Sequence, residues 1–478
     1  MVIKPEADGT KRYKARLVSR GFKDEHLYKF SEIYAPVVGI SDVRVLFAIA
    51  NKLKWEIIQM DVDTAFLNSE LDSDKPVYME IPEGVDVDKR YREKKVCKLV
   101  KALYGLKVSP KRWYLKFRES MVKMGFTVFD GQSCMFYWRR KGTFTIVMLY
   151  VDDILITGNN RDKIIETKNK LCEVYKMKVL GSPKKFLGIQ IERDLKNSVF
   201  TMCQTKMIEN IVRKFGLENR KFAATPMMTE QNAKKRVVKP TVQTELDLSK
   251  GIPYREAVGA LLYVTNCTRP DIAYAVNVLT RRVSDFQEKD WIKVEQVIMY
   301  LAYTKDLKLT YLGNGNELIG YSDASMKLMS KDGKSVSGCV ITVFNDAVSW
   351  GTRRQDSVAV SSSEAEYIAL NSMIKDVVYY KELCELITSE RIQPVVYEDN
   401  KATIKNVQRG QSKSLRHLVG LKSKYVCDEY SKGTFDLIWV RSEDQLADPF
   451  TKAKARPAFE RVRKLIMHDE PRVQLKDD

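Results

Sequence analysis

The sequence predicts a mixed α/β fold divided among several domains, and three observations point to it. Apolar, β-branched runs such as FTIVMLYV and KFLGIQIE alternate with amphipathic helical segments from residue 1 to about 225. Residues 254–307 instead show apolar side chains at helical spacing, and strand-like runs return from residue 317. With 478 residues, 44% of them hydrophobic, the chain is long enough for about three domains with buried cores.

The domain boundaries follow from changes in composition. The segment from Thr225 to Lys250 is polar, contains two prolines and has no sustained period, which is typical of a linker. In the helical segment that follows, Pro270 stands where a proline favours the start of a helix. We therefore predict an α/β region over 1–225, a linker over 226–250, a helical segment over 251–312, an α/β domain over 313–460 and a charged tail over 461–478.

The charge balance indicates a polyanionic partner. Lysine and arginine number 81 against 62 acidic residues, which gives a net charge of +19 spread along the chain. A basic globular protein of this size most simply binds nucleic acid, and the alternative is a general contribution to solubility. The eight cysteines form no CxxC pair and only three histidines are present, so we expect reduced thiols and no zinc site.

The chain shows no targeting or membrane signal. Its first residues, MVIKPEADGTKRYK, are charged and lack the apolar region of a signal peptide. No apolar run approaches the length needed to cross a bilayer. We therefore predict no membrane partner.

The run LYVDDILITG places two adjacent carboxylates, Asp152 and Asp153, inside an apolar segment. Two neighbouring anions repel each other and lose hydration there unless cations compensate. Either the pair lies in an exposed hairpin turn, or it holds divalent metal. Asp61 ends a second apolar run, IIQMD, so two strand ends together supply three carboxylates. Phosphoryl transfer from a nucleotide needs such a set, because two Mg²⁺ ions activate the attacking hydroxyl and stabilise the leaving group.

The C-terminal region repeats the placement of acids beside strands. Asp323 ends LIGYSDA, Glu364 opens a long helix, Asp399 ends PVVYEDN, and Asp448 follows the strand FDLIWV in QLADPF. Each acid also has a structural explanation. Ser361 and Glu364 fit a capping box, and Asp399 and Asp448 each fit a helix cap.

Motifs along nearly the whole chain resemble those of one family. Their order and number resemble the reverse transcriptase–RNase H part of Ty1/copia-type LTR-retrotransposon Pol polyproteins. The motifs are RYKARLVSRGF, YAPVV, QMDVDTAFLNSEL, YMEIPEG, KALYGLKVSPKRWY, LYVDDILITG, FLGIQIE, PYREAVGALLYVTNCTRPDIAYAV, VSSSEAEYIAL, YEDN and QLADPFTK.

The resemblance implies a right-hand polymerase with palm and fingers, a helical thumb or connection segment, and an RNase H-like α/β domain after it. Asp61, Asp152 and Asp153 would be the catalytic aspartates and metal ligands of the polymerase. Phe66 would lie under the sugar of the incoming nucleotide, where its ring would clash with a 2′-hydroxyl and favour dNTP. The alternative for Phe66 is ordinary core packing.

The resemblance also implies contacts of the fingers with substrate. Lys14, Arg16 and Arg20 would lie on a basic strand and neutralise the triphosphate, and the alternative is a solvated strand face. Gly105 would let the backbone approach the nascent base pair, and the alternative is a turn glycine. Family members have several dozen more residues before RYKARLV, so we expect N-terminally truncated fingers.

For the C-terminal acids, the resemblance implies ribonuclease H chemistry. Asp323, Glu364, Asp399 and Asp448 would be catalytic and would bind metal. The implied cofactor is Mg²⁺, two ions per active site, with Mn²⁺ able to substitute. The implied partners are an RNA template, a DNA primer, an RNA–DNA hybrid and dNTPs. The implied location is the cytoplasm, within virus-like particles, or the nucleus.

Three functional hypotheses follow. The first is an active RNA-directed DNA polymerase that also cleaves the RNA of a hybrid. The second is a non-catalytic, nucleic-acid-binding relic that keeps the fold and the charge. The third is RNase H activity alone, beside an inactive polymerase half.

Overall fold

The computed structural model describes residues 2–5, 11–14, 16–72, 74–229, 251–326, 332–410 and 420–469. Most of the predicted linker and the last nine residues of the predicted tail lie outside these ranges. The earlier part of that predicted tail is not a tail, because residues 456–467 form a helix that buries Val462 and Ile466. Within the described ranges, no helix combines the length and apolarity needed to cross a membrane.

The helices of the described residues are numbered in chain order. They are α1 Phe30–Ile33, α2 Ile40–Lys52, α3 Lys89–Lys94, α4 Ser109–Lys123, α5 Arg161–Val174, α6 Thr205–Lys214, α7 Tyr254–Cys267, α8 Ala273–Thr280, α9 Glu288–Tyr303, α10 Ser362–Thr388, α11 Lys401–Gln408, α12 Gly420–Ser431 and α13 Arg456–Met467.

The strands are numbered in the same way. They are β1 Val2–Pro5, β2 Lys11–Lys14, β3 Ile57–Val62, β4 Val77–Glu80, β5 Val96–Leu99, β6 Thr127–Phe129, β7 Gln132–Arg140, β8 Thr143–Tyr150, β9 Asp153–Gly158, β10 Met177–Gly181, β11 Lys185–Phe186, β12 Ile189–Asp194, β13 Val199–Cys203, β14 Leu309–Tyr311, β15 Leu318–Ser325, β16 Val336–Val343, β17 Asp346–Arg354, β18 Val395–Glu398 and β19 Asp436–Trp439.

The chain folds into two compact units. The first comprises Met1–Gly39 and Glu56–Ser182, and the second comprises Ile40–Trp55 and Pro183–Asp478. This division differs from the predicted boundary at residue 225. The reason is long-range pairing, because β11, β12 and β13 form a four-stranded sheet with β14, which lies far along the chain.

The first unit is built on a six-stranded antiparallel sheet in the order β10-β3-β9-β8-β7-β6. The apolar runs on both sides of the Asp152–Asp153 pair form its central strands, β8 and β9, and are almost wholly buried. Helix α4 adds an aromatic layer, in which Trp113 lies 5.2 Å from Tyr175 and Phe117 lies 5.6 Å from Phe136, measured between ring centroids.

The second unit contains a five-stranded sheet in the order β17-β16-β15-β18-β19. Strands β15, β18 and β19 run parallel, whereas β16 and β17 are antiparallel to their neighbours. The long helix α10 packs on β15, and Gly320 allows the approach because a Cβ there would lie 2.6 Å from the sulfur of Met373.

The predicted helical segment forms α7, α8 and α9, which share a core with α6 and with Phe459 of α13. A buried ion pair fixes this core, with Arg269 Nη2 2.7 Å from Asp271 Oδ2. The hydroxyl of Tyr300 donates to the same carboxylate oxygen at 2.6 Å. The segment is therefore part of the folded core of the second unit.

Helix α2 also belongs to the second unit, although it precedes β3 of the first unit in the sequence. Ten of its 13 residues are buried. The Arg44 guanidinium donates to the carbonyls of Val348 and Cys267 at 2.7 and 3.0 Å, and it lies 3.8 Å from the centre of the Trp350 ring. These long-range contacts explain why the sequence alone assigned the helix to the wrong unit.

Candidate active sites

The hairpin between β8 and β9 carries Asp152 and Asp153 in the first unit. Tyr150 and Asp153 pair across the two strands, so Val151 and Asp152 form the loop. Val151 has φ of +57°, which is unfavourable for a β-branched residue. The indole of Trp113 donates to the Val151 carbonyl at 2.6 Å and holds this loop. The pair therefore lies at a hairpin turn, but both aspartates are half-buried and not exposed as the first alternative states.

The same hairpin brings the pair beside Asp61. Asp61 and Asp153 are opposite partners on β3 and β9, and the Val62 amide donates to the Asp152 carbonyl at 2.8 Å. Burial raises the pKa of Asp153, and the charges of Asp152 and Asp61 raise it further, while a hydrogen bond from Gln59 at 3.2 Å lowers it. Like charges opposite each other in a sheet are destabilising. The two strand ends thus bring together carboxylates whose mutual repulsion a bound cation would offset.

An aromatic pair borders these acids. Phe66 lies in the turn Ala65–Asn68 directly after β3, with its ring centre 4.7 Å from that of Tyr104. The Arg16 guanidinium lies 5.8 Å from the Tyr104 ring. Burial raises the pKa of Tyr104, and the charges of Asp152 and Asp61 raise it further. Sequence reasoning missed Tyr104, although it stands next to Gly105 in LYGLK.

Gly105 is required by a contact within the protein. Its φ is +93°, and a Cβ there would lie 2.0 Å from the Ser19 carbonyl oxygen. The Ser19 amide donates to the Tyr104 carbonyl at 2.7 Å, which holds the two segments together. The structural explanation for this glycine is therefore sufficient, and its predicted contact with a nascent base pair stays a prediction.

The basic residues of the predicted fingers strand do not share one strand. Lys14 ends β2, and its side chain lies outside the described part of the chain. Arg16 and Arg20 are exposed and lie in irregular backbone. The strand stops before Arg16 because its partner β1 pairs only as far as Lys14. Arg20 lines a cavity of about 780 Å³, to which none of the three aspartates contributes.

In the second unit, β15 and β18 bring Asp323 and Asp399 together. The strands are parallel neighbours, with Tyr321 opposite Tyr397 and their rings stacked at 4.9 Å. The same register places Asp323 beside Asp399, which directly follows β18. Ser442 donates to Asp399 Oδ2 at 2.7 Å. The helix cap that the alternative assigned to Asp399 is made instead by Asn400, whose side chain accepts from the amides of α11.

Glu366 joins these two aspartates, in the position that we expected for Glu364. Ligand oxygens of Asp323, Glu366 and Asp399 lie within 4.8 Å of one another. Glu364 instead accepts the Val360 amide at 2.8 Å, while its own amide donates to Ser361 Oγ at 3.1 Å. Glu364 therefore forms the helix cap, and Glu366 joins the acidic cluster. The sequence carried this signal in SSSEAE, where both acids are present.

Asp448 lies next to this cluster, on the turn Asp448–Phe450. The turn packs on Gly338, the strand partner of Asp323, where a Cβ would lie 2.7 Å from Thr451 and 2.8 Å from Phe450. Thr451 Oγ1 donates to Asp323 Oδ2 and, at 3.0 Å, to the Asp448 carbonyl. The ammonium groups of Lys452 and Lys454 contact the two carboxylate oxygens of Asp448.

The C-terminal cluster contains buried carboxyl groups whose negative charges are not fully compensated. Burial raises the pKa of Asp323 to about 6, with added contributions from the charges of Asp448 and Asp399. Burial and the charge of Glu398 raise the pKa of Glu366, whose Oε2 atom is buried and has no hydrogen-bond partner. Oxygen ligands of this kind fit a hard divalent cation such as Mg²⁺. Among the described residues, only these three acids bring their ligand oxygens within 4.8 Å of one another, so the carboxylates of the three aspartates in the first unit are further apart.

Comparisons with known proteins identify the family of the chain. A profile of the family described as reverse transcriptase (RNA-dependent DNA polymerase) matches residues 2–229. The Pol polyprotein of transposon TNT 1-94 from Nicotiana tabacum is 33% identical over 96% of this chain and 34% of its own length. That of transposon RE2 from Arabidopsis thaliana is 31% identical over 96% of this chain and 31% of its own length.

The solved structure of LC11-RNase H1, isolated from compost, matches 30% of this chain and 97% of its own at 16% identity. Its TM-score of 0.24 is too low to support an argument. The chain spans about a third of the length of the curated relatives it matches. The sequence matches show that the chain belongs to the Ty1/copia-type retrotransposon Pol polyproteins, with a reverse transcriptase region over residues 2–229.

Proposed function

We propose that the chain is an RNA-directed DNA polymerase that also degrades the RNA strand of an RNA–DNA hybrid. The observation that carries the proposal is the meeting of Asp61 with Asp152 and Asp153 at two strand ends, in a chain of the reverse transcriptase family. The substrates would be an RNA template, a DNA primer and dNTPs. The second activity would use the separate acidic cluster in the C-terminal unit.

In the polymerase site, Asp61, Asp152 and Asp153 would hold two Mg²⁺ ions. Bound there, the ions supply activation of the primer hydroxyl and stabilisation of the leaving pyrophosphate. Gln59 orients the Asp153 carboxylate through its hydrogen bond at 3.2 Å. Trp113 fixes the loop that carries Asp152.

Phe66 would select dNTP over rNTP by excluding the 2′-hydroxyl. Its ring packs against Tyr104, which limits how far it can move aside. A Phe66→Val variant should therefore incorporate rNTPs more readily than the parent while dNTP incorporation changes less. Equal discrimination in parent and variant would assign Phe66 to core packing alone.

In the RNase H site, Asp323, Glu366, Asp399 and Asp448 would hold two Mg²⁺ ions. Bound there, the ions supply an activated water and stabilise the leaving 3′-oxygen of the RNA. Ser442 and Thr451 orient the carboxylates of Asp399 and Asp323 through hydrogen bonds. The RNA strand would be recognised by its 2′-hydroxyls and by the groove shape of the hybrid.

Primer extension by the purified chain on an RNA template with Mg²⁺ tests the polymerase assignment. We expect extension, and we expect Asp152→Asn to abolish it. Asp130→Asn is the matched control, because Asp130 is exposed in the same unit and lies in the turn between β6 and β7. Extension that survives Asp152→Asn would reject the assignment.

RNase H activity alone is a second candidate, and one observation favours it. Carboxylate oxygens of the C-terminal trio lie within 4.8 Å of one another, whereas those of the described polymerase trio do not. Cleavage of labelled hybrid RNA without primer extension would select this candidate. In that assay Asp399→Asn should abolish cleavage, and its failure to do so would reject the site.

A further inference from the structure

Asp448 differs from the other acids of the C-terminal site in its counter-ions. Only 7% of its side chain is exposed, and each carboxylate oxygen contacts a different ammonium group, Oδ1 that of Lys452 and Oδ2 that of Lys454. Lys454 is itself only 24% exposed. A carboxylate held in this way has both oxygens occupied by cations that belong to the chain.

The neighbouring acids show the opposite situation. Glu366 is 6% exposed, and its Oε2 atom is buried without a partner. Glu398, which is fully buried, also has an Oε2 atom without a partner and raises the pKa of Glu366. No lysine or arginine has a described ion pair with Asp323, Glu366 or Asp399. Lys452 acts on Asp323 only through its charge at a distance, whereas both oxygens of Asp448 are directly paired with lysines.

We propose that Lys452 and Lys454 compete with a divalent cation for Asp448, which makes the two metal positions of this site unequal. The first cation binds at Asp323, Glu366 and Asp399, where the buried Glu366 Oε2 atom is without a hydrogen-bond partner. The second needs an oxygen of Asp448 and binds only when a lysine leaves it. The lysines are thus positioning residues that set the affinity of the second position. The inference rests on the proposed RNase H function only for the identity of the ion.

The inference also predicts a specific effect of neutralising the lysines. An ammonium group and a divalent cation at the same carboxylate oxygen repel each other, so the energy of the lysine contact opposes metal binding. Removing both ammonium groups should increase the affinity of the second position for its cation by at least about tenfold. The first cation should change less, because its ligands have no direct ion pair with these lysines and interact only with the more distant charge of Lys452.

Mn²⁺ binding to the full chain tests this directly, with free Mn²⁺ followed by electron paramagnetic resonance. Asp152→Asn and Asp153→Asn in all samples remove the polymerase site. In that background we expect the second Mn²⁺ to bind with an affinity at least about tenfold lower than the first. Lys452→Gln with Lys454→Gln should reduce this difference in affinity. Lys305→Gln with Lys308→Gln is the matched control, because these lysines pair with Glu209 and Glu192.

A second Mn²⁺ affinity that is the same in the lysine variant and its background would overturn the inference, as would equal affinities in the background itself. A chain that binds Mn²⁺ as expected but does not cleave hybrid would overturn only the proposed function, since nucleic acid is absent from the titration.

The wild-type chain provides a measurement that needs no substitution. Saturating Mn²⁺ should increase acetylation of Lys452 and Lys454, read by mass spectrometry, because the ion displaces them from Asp448. Lys305 and Lys308 should be labelled equally with and without Mn²⁺. Unchanged labelling of Lys452 and Lys454 when both positions of the C-terminal site are occupied would contradict the competition.

Discussion

At the scale of single residues, a carboxyl buried among other carboxyls destabilises the fold that holds it. Burial raises the pKa of Asp323 to about 6, from an ordinary value of 3.8. Because this pKa is raised in the folded state, folding favours the protonated form. The stability contributed by the protonated group is fully present below about pH 4 and is lost as the pH rises through about 6.

Asp323→Asn should therefore stabilise the metal-free protein at neutral pH. The gain should reach up to about 3 kcal/mol near pH 7, since one pKa unit corresponds to about 1.4 kcal/mol, and it should vanish near pH 4. Urea unfolding in EDTA at several pH values measures it. A gain that does not change with pH would show that the Asp323 charge is not the cause.

Two acids on α10 separate a structural role from the proposed catalytic one. Glu364→Gln should cost about 1 kcal/mol of stability through the weakened cap and leave hybrid cleavage nearly unchanged. Glu366→Gln should reduce cleavage roughly 100-fold or more. Unfolding curves and cleavage rates of both variants measure these effects. The reverse pattern would assign the catalytic role to Glu364.

At the scale of elements, the position of Asp448 depends on how closely one turn approaches one strand. Gly338 has no side chain, and the turn that begins at Asp448 occupies the free space above it. The same turn delivers the Thr451 hydroxyl to Asp323. A small change in β16 should therefore affect both acids together.

Gly338→Ala should displace this turn, because the added Cβ would lie 2.7 Å from Thr451. We expect a loss of about 1–3 kcal/mol of stability and reduced hybrid cleavage. Gly351→Ala on the adjacent strand is the control, since its Cβ would meet only the Cys339 sulfur at 3.6 Å. Similar stability and cleavage in the two variants would contradict the packing argument.

At the scale of the whole molecule, the net charge of +19 should govern binding to nucleic acid. Binding through phosphate contacts releases counter-ions, so affinity for an RNA–DNA hybrid should fall at least about tenfold between about 50 and 200 mM salt. Fluorescence anisotropy in EDTA measures this without cleavage. A flat titration would contradict phosphate contacts as the main source of affinity.

Local patterns in the sequence predicted the helices and strands that depend on residues close together in the chain. Helical spacing predicted α7 to α9, and the apolar runs before Asp61 and on both sides of Asp152 and Asp153 predicted β3, β8 and β9. The choice between Glu364 and Glu366 depends on which acid reaches two distant strands. The place of α2 depends on Arg44 meeting carbonyls far along the chain. Such contacts leave no local periodicity, so the sequence could not show them.

The central claim is that two separate acidic sites carry out two separate phosphoryl-transfer reactions. One reaction tests it most directly, with a fluorescent DNA primer annealed to a differently labelled RNA template and both strands resolved together. We predict that Asp152→Asn loses primer extension but still cleaves the RNA of the hybrid, and that Glu366→Gln extends the primer but leaves the RNA intact. Loss of both activities in either variant, with the fold intact, or retention of both, would contradict the claim.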